Sequence, residues 1–145
     1  MSDRILRLGH LYPSLMNIYG DRGNIVSLQR RCRLRGIELQ VTPLEVGDEL
    51  RPGDFDLLFM GGAQDREQTL VSEDLAATKG ALREAVDDGV VFLGVCGGYQ
   101  LSGHFYRGAD GIEMRGTGVL DLYTLHPGGH AKRLIGNLAA ELSLF

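Results

Sequence analysis

Val90-Val91-Phe92-Leu93-Gly94-Val95-Cys96-Gly97-Gly98-Tyr99-Gln100 is the stretch on which the reading of this chain turns. Val90 to Val95 runs apolar or glycine throughout, the mark of a strand buried on both faces of a sheet. A Gly-x-Cys-x-Gly turn follows, and Gly97 to Tyr106 reads as a helix. Strand, tight turn and helix in that order make a nucleophile elbow, with sulfur in place of a serine oxygen. Such a turn needs small neighbours, and a side chain at Gly94 or Gly98 would crowd the nucleophile. The helix directs its N-terminus at the thiol, which favours the thiolate. Its first N–H, that of Gly97, is placed to hold an oxyanion. The plainer alternative is a buried cysteine before a glycine-rich turn; it leaves the agreement of strand, spacing and helix unexplained.

Working outward, Arg4 to Tyr12 reads as a first strand and Pro13 to Asn24 as a loop. Ile25, Leu28 and Cys32 fall at i, i+3, i+7, one face of a helix that Gly36 stops. Ile37 to Leu44 is a second strand, and Phe55 to Met60 a third that ends on Gly61-Gly62. Leu75, Leu82 and Val86 keep helical spacing before Gly89. Gly118 to Leu125 and Arg133 to Leu138 are expected to be further strands. Alternating strands and helices imply an α/β domain of three layers with a mostly parallel sheet, flavodoxin-like in broad type. Ligands of such sheets bind beyond the carboxyl ends of the strands, here Gly61-Gly62 and Gly94-Val95-Cys96. Gly-Gly after a strand is by itself a common turn. Beside the elbow, the Gly62 N–H is expected to join that of Gly97 in an oxyanion hole.

Composition narrows the function classes. The 145 residues are 43% hydrophobic and 23% charged with a net charge of -4, which describes one ordinary globular domain. No apolar run approaches the ~20 residues that span a bilayer, and the first residues carry no signal-peptide pattern, so a cytoplasmic location is expected. The acidic balance argues against a nucleic-acid partner. Arg30, Arg31, Arg33 and Arg35 spread over a wide helical arc and read as a solvated face. Of the two cysteines, Cys32 lies on an apolar helix face and reads as a small hydrophobe. No Cys/His cluster has metal-ligand spacing and no dinucleotide fingerprint is present, so neither metal nor cofactor is expected.

Gly94-Val95-Cys96-Gly97-Gly98-Tyr99-Gln100 resembles the Gly-x-Cys-x-Gly-x-Gln signature of class I (triad-type) glutamine amidotransferases. That resemblance implies attack of Cys96 on the side-chain amide of glutamine, a thioester intermediate, and ammonia passed to a synthetase. It implies that Gln100 contributes to binding glutamine, although a solvent-facing helix residue fits the same position. Tyr19-Gly20-Asp21-Arg22-Gly23-Asn24, Asp65-Arg66-Glu67-Gln68 and Arg133-Leu134-Ile135-Gly136-Asn137 narrow the match. With the elbow they resemble the GatD-type glutaminase subunits of lipid II isoglutaminyl synthases. The cobyric acid synthase type is the neighbouring subgroup. A GatD-type subunit implies a heterodimer with a MurT-like subunit of the Mur ligase family, which amidates the stem-peptide glutamate of peptidoglycan. It also implies that Arg133 holds the substrate; a guanidinium fork suits a carboxylate. Lys132 and Arg115 are the competing cations. The class carries its catalytic histidine well downstream of the cysteine, and none of His10, His104, His126 or His130 matches that position. Residues 1–145 are therefore expected to form a single amidotransferase domain that is incomplete at its C-terminal side. A non-catalytic module, or another cysteine-elbow protein of the same fold, remains the alternative.

Overall fold

The computed structural model describes residues 4–18, 21–128 and 136–141. Four parallel strands form the main sheet: β1 (Ile5–Leu11), β2 (Glu38–Leu44), β3 (Leu57–Met60) and β4 (Val91–Gly94). Their spatial order is β2-β1-β3-β4. The first crossover, α1 (Asp21–Arg33), leads outward from β1 to β2, and the second, α2 (Asp65–Asp87), leads outward from β3 to β4. Winding in two directions from the β1/β3 boundary puts the helices on opposite faces. Packing bears this out, because alternate residues of one strand serve opposite layers. Phe59 packs with Leu8 and Ile25 on the α1 side. Leu58 and Met60 pack with Val71, Leu75 and Leu82 on the α2 side. The arrangement is the three-layer, mostly parallel α/β architecture expected from the sequence.

The helices begin and end for local reasons. Asp21 opens α1 while Arg30, Arg31 and Arg33 close it, each matched to the helix dipole. Asn17 Oδ1 accepts the Arg22 N–H at 2.9 Å, satisfying one donor of the first turn. Gly36 and Gly89, with φ of 63° and 93°, end the chain's excursions after α1 and α2 in the left-handed region that glycine tolerates. The arginines of α1 and Arg35 are all exposed, as a solvated face requires.

Three sequence expectations need correction. β4 is not buried on both faces: among the described residues it is an edge strand paired only with β3. Register places Val91 beside Leu57 and Leu93 beside Phe59, hence on the α1 face. α1 does not reach that far, and Val91 and Leu93 stay 61% and 41% exposed. The elbow helix, α3 (Gly97–Ser102), is shorter than expected, and Phe105–Arg107 beyond it is a strand, β5. β5 pairs antiparallel with β6 (Glu113–Arg115) and parallel with β7 (Thr124–Leu125), a second small sheet that strand periodicity did not reveal. Its Tyr106 and Met114 join the α2-side core. Of the two late strands expected, only Thr124–Leu125 forms within 118–125, residues 136–138 are in no strand, and 133–135 lie outside the described residues.

These packing differences set unequal costs. Leu58 is fully buried, so Leu58→Ala should lose about 2–5 kcal/mol of stability. Val91→Thr, at the open edge, should change it by no more than about 0.5 kcal/mol. Urea unfolding of the two variants beside the parent chain checks both values.

Candidate active site

Cys96 occupies the turn between β4 and α3 with φ 53° and ψ -112°, and its side chain is exposed. A non-glycine residue held there stores about 1–3 kcal/mol of strain. Backbone hydrogen bonds on both sides hold it in place. The Val95 N–H donates to the Met60 carbonyl at 2.9 Å, and the Gly98 N–H donates to the carbonyls of Gly61 and Val95, each at 2.9 Å. The Gln100 N–H donates to the Cys96 carbonyl at 3.0 Å. The glycines on either side are required by space. A Cβ on Gly98 would sit 2.2 Å from the Met60 carbonyl oxygen, and one on Gly94 would meet the Gly98 backbone at 3.0 Å. The elbow is therefore built by pressing the start of α3 directly onto the end of β3. Cys32, in contrast, is buried on α1.

The loop after β3 differs from expectation at one atom. The Gly62 N–H is not open; it donates to Asp21 Oδ2 at 2.9 Å, while the Gly62 carbonyl accepts the Ile18 N–H at 3.1 Å. A committed donor cannot receive an oxyanion without giving up that bond. The next peptide N–H, of Ala63, makes no hydrogen bond among the described residues, and neither does that of Gly97. The two lie close together: a Cβ on Gly97 would stand 3.2 Å from the Ala63 nitrogen. Ala63, not Gly62, thus offers the free donor beside the elbow. Sequence reasoning missed it because adjacent peptides of one loop are indistinguishable until their carbonyl and amide partners are known.

Asp21 and Gln68 were also missed as structural agents, although both lie in segments singled out for their resemblance. Asp21 is 1% exposed, opens α1 and anchors the Gly62 peptide. Gln68 falls in register with Val71, Ser72 and Leu75 on the buried stripe of α2. A polar residue in an apolar stripe was the available signal. Its Nε2 donates to the Ala63 carbonyl at 2.9 Å and approaches Gln100 Oε1 at 3.4 Å. The structure therefore brings Gln100 to Gln68, half-buried at the side of the loop. Beyond it, the Tyr106 hydroxyl reaches Asp65 Oδ1 at 3.4 Å. Burial and the Asp65 charge raise the Tyr106 pKa, and a hydrogen bond with Gln100 opposes them, so this phenol stays neutral and able to donate.

Arg133, Lys132 and His130 lie outside the described residues. None of the other three histidines hydrogen-bonds to Cys96. His10 is buried at the carboxyl end of β1, tilted on the Phe59 ring, and burial depresses its pKa against the pull of Asp21 and Glu45. His104 pairs with Asp121 at 2.8 Å, and His126 accepts the Gly128 N–H at 3.1 Å. Among the described residues no group of His, Cys, Asp and Glu could hold a metal ion, and no helix is long and apolar enough to cross a membrane.

Asp21 should matter to stability as well as to geometry. Asp21→Ala leaves the buried Gly62 N–H without a partner, which costs about 1–3 kcal/mol. Asp21→Asn keeps one acceptor oxygen and should recover part of that loss. The urea midpoints of both variants test this.

Comparison with known proteins gives the family. The CobB/CobQ-like glutamine amidotransferase domain family matches residues 7–144. A lipid II isoglutaminyl synthase (glutamine-hydrolyzing) subunit GatD of Staphylococcus aureus is 36% identical over 140 residues, 97% of this chain and 56% of the relative. The subunit of that name from Streptococcus pneumoniae is 37% identical over 133 residues, 92% of this chain and 50% of the relative. A probable cobyric acid synthase of Methanosphaerula palustris is 34% identical over 90 residues, 56% of this chain and 18% of the relative. The chain spans about half the length of the GatD relatives it matches. On the family match across almost its whole length, this chain belongs to the CobB/CobQ-like glutamine amidotransferase domain family.

Proposed function

We propose that this chain carries the nucleophile-bearing part of a glutaminase subunit that releases ammonia from glutamine through a Cys96 thioester. The observation that carries the reading is Cys96 itself. It is exposed on a strained turn, beside two N–H groups that no described residue engages. In this reading the Cys96 thiolate adds to the side-chain amide carbon of glutamine. The carbonyl oxygen gains the electron pair as the C–S bond forms, and the N–H groups of Gly97 and Ala63 receive it. One such donor contributes about 2.7–4 kcal/mol to the transition state. Collapse of the adduct expels the amine as ammonia once it is protonated, leaving the thioester, and water then releases glutamate and the thiol. No described histidine hydrogen-bonds to Cys96, and in this reading a histidine outside the described residues supplies the proton to the departing amine.

Arg133 is proposed to hold the substrate carboxylate, and Gln100 to lie at the edge of the glutamine site. The ammonia acceptor proposed is the stem-peptide glutamate of lipid II, activated on a MurT-like ligase subunit in the cytoplasm. Two named relatives that match more than nine-tenths of this chain favour that acceptor. The cobyric acid synthase relative matches 56% of it.

A glutamine-like chloroketone tests the core of this reading. Mass spectrometry should find the adduct on Cys96 and none on Cys32, and Cys96→Ser should abolish both labelling and glutamine hydrolysis by the intact complex. Labelling confined to Cys32 would sink the assignment. Arg133→Ala should lower kcat/KM for glutamine roughly ten- to a hundred-fold, since a hydrogen bond to a charged group contributes about 1.5–3 kcal/mol. Arg133→Lys should recover only part of this, because an ammonium lacks the paired geometry. Unchanged kinetics in the alanine variant would remove Arg133 from the site.

A further inference from the structure

We propose that Gln68 is a positioning residue for the oxyanion-binding pair, holding the Ala63 and Gly97 N–H groups in mutual register. The proposal rests on the glutaminase reading of Cys96. Gln68 is 2% exposed, within the first turn of α2. Its side chain turns back to donate to the carbonyl of Ala63, the loop residue with the free N–H. The same carboxamide underlies the first residue of α3: a Cβ on Gly97 would stand 2.9 Å from Gln68 Cδ and from Nε2. One buried side chain thus touches both residues whose N–H groups lie beside the nucleophile. Its contact with Gln100 Oε1 at 3.4 Å extends the tie into α3.

The energetics argue that this amide is not simple filling. Gln68 Oε1 is buried with no hydrogen-bond partner among the described residues, and such a group is costly to leave unmade. An apolar residue like the neighbouring Val71 and Leu75 would avoid that cost. A carboxamide does what those cannot, which is to grip a backbone carbonyl. The Gly62 carbonyl is already held by the Ile18 N–H. With the Ala63 carbonyl held by Gln68, the peptides on both sides of Ala63 are fixed and its N–H has one direction left. Donors set in advance act only where their geometry is tight, and a misplacement near 1 Å costs on the order of a hundred-fold in rate.

The test compares two electrophiles on Cys96 in the intact subunit, with Gln68→Met and Gln68→Glu beside the parent. A glutamine-like chloroketone carries its carbonyl where the substrate amide would lie. Sulfur adds there and the oxygen becomes anionic; sulfur then shifts to the neighbouring methylene, displacing chloride as the carbonyl re-forms, and a thioether remains. Iodoacetamide instead loses iodide by direct displacement, with no oxyanion. The expected result for Gln68→Met is a chloroketone rate lowered about ten- to a hundred-fold and an iodoacetamide rate within about two-fold. In the complex, kcat for glutamine should fall while KM stays near the parent value. Gln68→Glu keeps the shape but cannot donate while ionised. Its chloroketone-to-iodoacetamide ratio should be low at neutral pH and recover on acidification, which a purely structural role would not produce. Equal loss of both rates in both variants, or no loss of the chloroketone rate in either, overturns the proposal. A parent protein that the chloroketone leaves unlabelled at Cys96 would overturn the glutaminase reading itself, so the two failures are distinguishable.

Discussion

The carboxyl end of β3 and the first turn of α3 touch backbone to backbone, and the rest of the site depends on that contact. No side chain fits between them, since a Cβ on Gly98 would lie 2.2 Å from the Met60 oxygen. The Gly98 N–H instead finds the Gly61 carbonyl, and Val95 finds that of Met60. Those bonds compensate the strained dihedrals of Cys96 and turn its side chain outward. They also bring the Gly61–Ala63 loop beside Gly97. A looser seat for α3 would lose the exposure of Cys96 and the convergence of the N–H groups together.

Around this contact the chain spends its buried polar groups on the loop after β3. Ile18 arrives from the segment before α1, Asp21 from the first turn of α1, and Gln68 from the first turn of α2. The loop therefore stands at the boundary where the two crossovers diverge, gripped from both sides of the sheet. Buried hydrogen bonds to backbone specify position more sharply than apolar packing does, because they fix direction as well as contact. That is the physical sense of the Tyr19–Asn24 and Asp65–Gln68 segments, whose resemblance to a subgroup was plain before any role could be given to Asp21 or Gln68.

The opposite side of the sheet is less completely served. β4 leaves Val91 and Leu93 open on the face that α1 covers elsewhere. Parallel strands flanked by helices are ordinarily covered on both faces, so an apolar run such as Val90–Val95 reads as central. Among the described residues it is an edge. Hydropathy reports what a strand is suited to meet, and only the packed neighbours reveal what it meets.

Much of the fold was legible because it is written in local pattern. Alternation in the first strand, short apolar runs in the later ones and period-3.6 spacing in both long helices pointed to these elements, and Gly94, Cys96 and Gly98 announced the elbow through a steric rule that holds in any context. The second sheet was hidden because strands of two or three residues carry no period. The early end of α3 was hidden because Leu101 and Tyr106 suit a helix as well as the core they enter. Within the site, sequence alone singled out Cys96 and the glycines its turn requires. Tertiary structure alone decided that the Gly62 N–H belongs to Asp21 and that no described residue takes the Ala63 N–H. The reason is that peptide groups are chemically alike, and only the partners brought in from distant segments make one of them a structural bond and the next an open donor.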